Sequence, residues 1–438
     1  MKNQHLILLS FVLLPFFICP DPAAADQARL KVDLSQAIEQ ALKTSEDLRI
    51  KTNDIQKRDA QYREVKSEIY PQIDHNVSWS SNFEYPTSAM LTDDYGISSQ
   101  TTFSQLLWAF GKVSAAIDAA NKYIAISHFD QEAAQRDVIY TAKVSYYAAL
   151  LAQKNYNILE QSYLNSKQNK EIMTNRSATG RMSKRDNIKI ASDIATRKPK
   201  VNDARTSLES SLKILKRVMG LVPDKQIRLV QDFADSYRPL KFEDLYQKMI
   251  TNEPTLKALE QNVALRSDLL KVKKAGFYPE LSMFANWTYQ GSDGQADISG
   301  DLIDPYGVVG VKVSIPIWEG GKKAHQLFQA RIDKSTAQIS YEKSKKDFIL
   351  ELDNTMSEYN QYLNTLKANN ASVELAEESF KLSQDLLESG QVSLTDLNDT
   401  ELILTNEKLS RQLTLYNINL ALAKIEKLTD QLQSDRSK

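Results

Sequence analysis

The amino-acid sequence predicts an α+β fold, in which a membrane β-barrel is continuous with a long α-helical barrel. Two pseudo-repeats build this fold, and each contributes two strands and one long helical hairpin. Three observations predict it: landmarks that recur at a fixed spacing, helical stretches far longer than a globular core is wide, and segments that alternate apolar and polar residues.

The internal repeat is visible in a tryptophan, a Gly-Lys pair and a Tyr-Pro pair. Their positions are Trp108 and Trp318, Gly111-Lys112 and Gly321-Lys322, and Tyr70-Pro71 and Tyr278-Pro279. The first two landmarks recur after 210 positions and the third after 208. The slip of two residues falls in loops, where insertions are tolerated. The chain is therefore predicted to hold two copies of a unit of about 200 residues.

The first residues predict a secretory signal. A short apolar run from Leu6 to Leu14 precedes Ala23-Ala24-Ala25, the small residues that a signal peptidase requires. The one cysteine, Cys19, lies inside this segment, and lipid attachment there stays open as an alternative. The predicted division is a signal peptide (1–25), a first repeat (26–220), an equatorial linker (221–241), a second repeat (242–431) and a tail (432–438).

Each repeat contains a very long helical stretch, from Gly111 to about Ser177 and from Lys322 to Glu388. Neither stretch contains proline or an interior glycine, and apolar residues recur three or four positions apart. At 1.5 Å per residue, about 65 residues form a rod of roughly 100 Å. Helices of this length predict a stalk or barrel rather than a globular core, with hairpins over about 111–220 and 322–431.

Each hairpin has the same predicted turn. Gly180 and Gly390 would end the outgoing helices in the left-handed conformation that glycine tolerates. The returning helices would begin with capping boxes, in which the acid three residues after the serine accepts a hydrogen bond from the serine amide. The predicted pairs are Ser183 with Asp186 and Ser393 with Asp396.

Four segments alternate apolar and polar residues, as strands do, over about 71–84, 94–108, 279–290 and 306–318. Their length suits tilted transmembrane strands with an apolar face toward lipid and a polar face toward a wet lumen. A soluble sheet with one solvated face is the alternative. Four strands cannot close a useful barrel, so several protomers would share one. The aromatic residues predicted to face lipid are Trp79, Phe83, Trp287 and Tyr289.

The strand alternation also predicts the effect of added charge. An arginine at Val311, on the apolar face, should hinder assembly, whereas a charge at Ser314, on the opposite face, should be tolerated.

The remaining chemistry of the sequence points away from enzymes. The net charge of −1 argues against a nucleic-acid partner, and no nucleophile–base set is visible. His75, His128 and His325 show no metal-ligand spacing. Gly320-Gly321-Lys322 lacks the other residues of a phosphate loop and predicts a strand-to-helix turn. We therefore expect no catalysis, no cofactor and no bound metal.

Several motifs resemble those of the TolC family of outer-membrane efflux and secretion channels. They are Asn252-Glu-Pro-Thr-Leu256, Tyr278-Pro279, Val313-Ser-Ile-Pro-Ile-Trp-Glu-Gly-Gly321 and the two Gly-x-x-Ser-x-x-Asp tips. The resemblance covers essentially the whole mature chain. It implies a homotrimer with a twelve-stranded outer-membrane barrel and a twelve-helix periplasmic tunnel. It also implies a mixed α/β belt at the waist, formed by about 221–241 and the C-terminal residues.

The resemblance also implies roles for the hairpin tips. Asp396 and Asp399, with Asp186 on the other tip, would line the periplasmic entrance, and the tips would contact a periplasmic adaptor protein. The tip residues are Gly180, Arg181, Met182, Ser183, Gly390, Gln391, Val392 and Ser393. Some family members hold a tip salt bridge through an arginine at the position of Val392. Because valine cannot form a salt bridge, a lock of this kind would need a different cation in this protein, and Arg181 and Arg185 are the candidates.

The predicted function is passive export across the outer membrane, driven by an inner-membrane transporter through the adaptor. Type I protein secretion with an ABC transporter is the first prediction, because the stretch 106–112 (LLWAFGK) and the predicted absence of a lipid anchor resemble secretion members. Drug or metal efflux with a proton-driven pump is the alternative. A periplasmic coiled-coil scaffold without transport is the alternative of a different class.

Overall fold

The computed structural model describes residues 30–81, 95–177, 184–234, 236–293, 302–389 and 391–430. The first repeat contains β1 (Leu30–Val32), α1 (Leu34–Thr44), α2 (Glu46–Ser67), β2 (Gln72–Ser81), β3 (Tyr95–Trp108), α3 (Lys112–Ser177) and α4 (Lys184–Val218). Strand β4 (Ile227–Leu229) lies between the repeats, and the second repeat contains α5 (Phe242–Asn252), α6 (Pro254–Ala275), β5 (Glu280–Asp293), β6 (Leu302–Ser314), α7 (Lys322–Ser389) and α8 (Leu394–Thr429). The predicted signal peptide and tail lie outside the described residues.

The long strands form one antiparallel sheet in the order β2–β3–β5–β6, so the two repeats meet between β3 and β5. Strand β6 differs from its predicted span of about 306–318, because it begins and ends four residues earlier. Pro316 explains the end of the strand, since proline has no amide hydrogen to donate to a neighbouring strand. Ile315 and Ile317, which the alternation assigned to the strand, therefore lie beyond it.

The register aligns the apolar residues of the sheet on one face. Met283 lies opposite Val311, and Ala285 lies opposite Val309. Val309 is 78% exposed in the protomer. The predicted aromatic residues of this face are also exposed: Trp79, Trp287 and Tyr289. The other face is largely polar, so the sheet has one apolar and one polar surface, as a barrel wall requires. Phe83 lies outside the described residues.

The turns from strand to long helix are equivalent in the two repeats. Gly111 and Gly321 both have positive φ angles, 79° and 83°. The preceding residues, Phe110 and Gly320, are also left-handed, with φ of 49° and 61°. The prediction that Gly320-Gly321 forms a strand-to-helix turn is confirmed.

The long helices have the predicted dimensions. Helix α3 has 66 residues and α7 has 68, so each is about 100 Å long. Helix α4 continues through Pro199 to Val218. Among the described residues, no helix has an apolar stretch that is long enough to cross a membrane.

The waist contains more of the chain than the sequence predicted. Strand β4, inside the predicted 221–241 segment, pairs in parallel with β1, the first element of the described chain. Helix α1 packs on α3 beside this pair, and Val32, Ala37 and Leu229 belong to one buried cluster with Tyr146. A second buried cluster joins α5 to α7 and α8. The N-terminal segment and α5 therefore contribute to the waist, which the sequence prediction left out.

A buried arginine on α3, Arg136, connects the two repeats just beside the waist. Its guanidinium donates to the backbone oxygens of Asn252 at 3.0 Å and Lys427 at 3.4 Å, near the C-terminal ends of α5 and α8. It also forms ion pairs with Glu132, Glu253 and Asp430. Burial raises the pKa of Glu253, and Arg136 is among the groups that oppose this shift. One side chain thus holds α3 against the ends of two helices of the second repeat.

Candidate functional site at the hairpin tips

The described part of the second tip shows how the sequence forms its turn. The Ser393 side chain accepts a hydrogen bond from the Asp396 amide, and Asp396 Oδ2 accepts one from the Ser393 amide at 2.9 Å. This reciprocal pair is the predicted capping box, which is confirmed here. The Gln391 amide donates to the Leu386 oxygen at 2.9 Å, which closes the end of α7. Gly390 lies outside the described residues.

The first tip lies largely outside the described residues. Gly180, Arg181, Met182 and Ser183 all fall there. Asp186 belongs to helix α4, but its side chain is not among those described. The predicted capping box and entrance role of Asp186 stay predictions.

The capping box fixes the charge of Asp396. Hydrogen bonds from the Ser393 side chain, and then from its backbone, hold the pKa of Asp396 below its ordinary value, and Lys189 lowers it further. Within one protomer the cap therefore stabilises the ionised form of Asp396. Repulsion between copies of this carboxylate in a trimer would act in the opposite direction.

Asp399 is exposed one turn further along α8. With a spacing of three residues, Asp396 and Asp399 lie near one helix face, about 4.5 Å apart along the axis. Asp399 forms no hydrogen bond or ion pair with another residue in the part of the chain that the structure describes. Its carboxylate is therefore open to solvent and to ions.

Lys189 is a tip residue that the sequence analysis missed. Its ammonium donates to the Thr395 hydroxyl at 2.8 Å, so α4 of the first hairpin contacts the start of α8 in the second. The sequence did hold a hint of this contact, because Lys189 lies one turn after Asp186 and Thr395 immediately precedes Asp396, so both residues lie close to the predicted entrance carboxylates.

Val392 occupies the position at which some family members have the arginine of a tip salt bridge, but its contacts are apolar. It packs against an apolar cluster of Ile190, Leu387, Leu394 and Leu397.

A buried polar network joins the two hairpins above the tip. Arg197 of α4 donates to Glu401 Oε2 of α8 at 2.8 Å and pairs with Asp193 at 2.9 Å. It also donates to the Ser162 hydroxyl of α3 at 2.5 Å, and Thr405 donates to the same hydroxyl at 3.3 Å. The Glu401 side chain is only 2% exposed, and burial raises its pKa while Arg197 opposes the rise.

Substitutions of Arg197 and of Glu401 should lower the stability of the protein by different amounts. Arg197→Met should lower the free energy of unfolding by about 3 kcal/mol, because Glu401 then keeps a buried charge without its cation. Glu401→Gln should cost less than about 1 kcal/mol, since glutamine removes the buried charge at nearly the same volume and Arg197 keeps Asp193. Thermal unfolding of the purified protein, followed by circular dichroism at one scan rate, would measure both.

The pH dependence of this difference follows from the raised pKa of Glu401. As the pH falls through that pKa, Glu401 takes up a proton and the buried charge disappears. The cost of Arg197→Met should therefore be largest at neutral pH and shrink in acid. An equal cost for both variants at every pH would contradict this account.

We also searched the described residues for a cluster of side chains that could bind a metal ion. No group of three His, Cys, Asp or Glu side chains there is arranged to hold a metal ion. His75 instead shares a hydrogen bond of 3.0 Å with the Thr101 hydroxyl across two strands.

Comparison with known proteins gives the family. The family model described as outer membrane efflux protein matches residues 37–221 and 245–430, one match for each repeat. The chain therefore belongs to the outer membrane efflux protein family, and the predicted TolC-type resemblance is confirmed. This is a family of channel proteins, located in the outer membrane with a tunnel in the periplasm. Channels of the family work with periplasmic adaptors and inner-membrane transporters.

Individual relatives are distant in sequence, but they align with most of the chain. The chain is 22% identical over 396 residues to the cation efflux system protein CusC of Escherichia coli K12, which covers 88% of this chain and 82% of CusC. It is 22% identical to the cobalt-zinc-cadmium resistance protein CzcC of Cupriavidus metallidurans, over 72% of this chain and 74% of CzcC. Among solved structures, the CmeC outer membrane channel of Campylobacter jejuni superposes with a TM-score of 0.77 at 18% identity, covering 90% of this chain and 85% of CmeC.

Proposed function

We propose that the protein is the outer-membrane conduit of an efflux pump, assembled as a homotrimer and coupled by a periplasmic adaptor to an inner-membrane transporter. The observation that carries this proposal is the continuity of the two-faced sheet with helices of about 100 Å, which join a membrane wall to a periplasmic tube. The predicted domain division, with 221–241 as linker between the repeats, is part of the proposal.

The choice of efflux over type I secretion rests on the named relatives. CusC is called a cation efflux protein and CzcC a cobalt-zinc-cadmium resistance protein. These names favour the efflux alternative, so we put type I secretion second. The periplasmic scaffold without transport gains no support, because the family is one of outer-membrane channels.

Two surfaces of the protomer are suited to contact further copies of the chain: the edges of the sheet and the exposed faces of helices α2 and α7. Strands β2 and β6 end the four-stranded sheet, so each has one edge without a partner strand among the residues that the structure describes. Helix α6 packs between α3 and α7 and buries Leu256 and Leu265, whereas its repeat counterpart α2 packs on α3 and has no buried residue. The second face of α2 suits α7 of the next copy, which exposes Phe328, Ile332 and Ile339.

The function can be tested in the source organism by deletion of the gene. We expect greater sensitivity to cobalt, zinc or cadmium salts, or to organic solvents and drugs, with restoration by the wild-type gene. The protein should be recovered in outer-membrane fractions, together with an adaptor after cross-linking. A deletion that leaves resistance unchanged and abolishes secretion of one protein would favour type I secretion. Recovery wholly from the soluble periplasm would refute the channel.

The tip carboxylates give a sharper prediction about the entrance. In a trimer, Asp396 and Asp399 would form two rings of three carboxylates, which attract cations and bind multivalent ions most tightly. We expect Asp396→Asn combined with Asp399→Asn to weaken block by trivalent cations at least tenfold and to reduce cation selectivity in planar bilayers. Asparagine keeps an acceptor for the Ser393 amide, so the cap should survive.

The matched control is Asp353→Asn, which removes an exposed carboxylate 36 residues before the end of α7, about 54 Å away along the helix. It should leave the trivalent block unchanged. Asp399→Asn alone should show much of the effect, because no cap involves that residue. Unchanged selectivity and block in intact trimers of the double variant would remove both residues from the entrance.

A further inference from the structure

An aromatic side chain lies on the polar, lumen-facing side of the sheet. Phe284 of β5 is opposite Ser104 of β3 and Gly310 of β6. Its neighbours on the same face of β5 are Ser282 and Asn286. Leu106 of β3 and Val308 of β6 lie on the same face, opposite Ser282 and Asn286, whereas the residues directly opposite the ring are a serine and a glycine. The packing partner of the ring therefore decides where the ring lies.

That partner is the glycine across the strand pair. A Cβ atom built on Gly310 would lie 2.8 Å from Phe284 Cζ and 3.0 Å from Cε1. The first distance is shorter than real Cβ contacts, and the second is at their lower limit. The ring therefore covers Gly310, lies along the wall of the sheet and fills the space that a side chain at position 310 would need.

The backbone of Gly310 gives no other reason for glycine. Its φ angle is not in the left-handed region, so any residue could adopt this conformation. The adjacent positions hold Val309 and Val311, β-branched residues that suit a strand. A glycine inside a strand often marks a close approach of another group, and here that group is the Phe284 ring.

We propose that Gly310 seats Phe284 flat against the wall, and that this contact keeps the ring out of the passage through which exported molecules move. The inference rests on the proposed trimeric channel, in which three such rings lie at one level of the lumen. A side chain at position 310 would displace all three rings toward the axis and narrow the passage.

The same strand supplies a matched control on the other face. A Cβ atom on Gly307 would lie 2.9 Å from Trp287 Cε3, so this glycine is covered by an aromatic ring in the same way. Trp287 belongs to the apolar face, with Met283 and Ala285. A side chain at position 307 disturbs an equivalent contact but displaces its ring away from the lumen.

The experiment measures passage past Phe284 from outside the cell. Ser282 lies on the lumen face between Phe284 and the helical tunnel, and Cys19 is the sole native cysteine. A Ser282→Cys parent is labelled in intact cells with a small maleimide and with maleimide-polyethylene glycols of graded mass. The reagent to compare is the largest polymer that still labels the parent. Adding Gly310→Val should lower the rate of labelling by this polymer at least tenfold. The small maleimide should react as in the parent.

The controls assign the effect to the ring. Gly307→Val should change the labelling rate less than twofold, and Phe284→Ala added to Gly310→Val should restore the parental rate. Equal rates in the parent and in Gly310→Val, with trimers intact, would overturn the proposal. If Gly310→Val does not assemble, the proposal is tested with Phe284→Ala alone, by its rate of labelling with the same polymer. A rate within twofold of the parent supports a flat ring, whereas a tenfold faster rate shows a ring in the passage and overturns the proposal.

The small maleimide also tests the proposed channel itself, because it should label the Ser282→Cys parent. Failure of this labelling would have a different meaning from failure of the polymer experiment. It would mean that Ser282 does not face an open lumen, and the proposed channel would then be wrong rather than the role of Gly310.

Discussion

Val309→Arg should abolish stable insertion of the protein in the outer membrane. Val309 lies near the middle of β6, is 78% exposed, and shares the apolar face with Ala285. An arginine facing lipid near the bilayer midplane costs about 2–4 kcal/mol in a β-barrel, and a trimer would carry three of them. The measurement is the amount of heat-modifiable trimer in outer-membrane fractions, which we expect to fall at least tenfold.

The adjacent residue is the control for this substitution. Val308 is also a valine of β6, but it lies opposite Asn286 on the polar face. Val308→Arg places the same charge in the wet lumen, so trimer yield should stay within about twofold of the wild type. These neighbours test the face assignment more sharply than Val311, which lies three residues from the end of the strand. Similar yields for both variants would show that the two faces are wrongly assigned.

Arg136→Met should destabilise the waist by about 3–5 kcal/mol. The Arg136 side chain is 5% exposed, and its removal leaves Glu253, at 7%, with a buried carboxylate that has lost this cation. It also removes donors from the Asn252 and Lys427 oxygens, at the ends of two helices. Breaking a buried ion pair from one side is costly because the remaining charge stays desolvated. Thermal unfolding at fixed scan rate should show the loss.

Arg205→Met is the control for Arg136. Arg205 pairs with Glu209 on α4, but both side chains are more than half exposed, so the pair is screened by water. We expect no more than about 1 kcal/mol from its removal. Arg136→Met combined with Glu253→Gln should recover part of the lost stability, because the unpaired carboxylate is then absent. A loss for Arg136→Met no larger than for Arg205→Met would contradict the role of Arg136 as a connection between the repeats.

Much of the architecture follows from local patterns in the sequence. Strand alternation requires only a period of two, and the Trp-x-x-Gly-Lys landmarks locate the strand-to-helix turns without knowledge of the fold. The capping box of Ser393 and Asp396 depends on residues three apart, so the sequence suffices to predict it. Where local chemistry overrode the period, as at Pro316, the predicted strand continued four residues too far at its C-terminal end.

Contacts between distant segments could be found only in the tertiary structure. The pairing of β1 with β4 joins segments about 200 residues apart, and three-residue strands carry little periodic signal. Arg136 and Arg197 resemble exposed helical cations in the sequence, because burial depends on which helix packs over them. Lys189 stays exposed, but its contact with Thr395 also joins segments about 200 residues apart. The Phe284 ring over Gly310 likewise depends on the register of two strands. The sequence alone determined the repeats, the strand faces and the second cap, since these need only neighbours along the chain. The tertiary structure decided the buried ion pairs and cross-strand contacts, since their energies depend on desolvation and packing between segments that the sequence keeps apart.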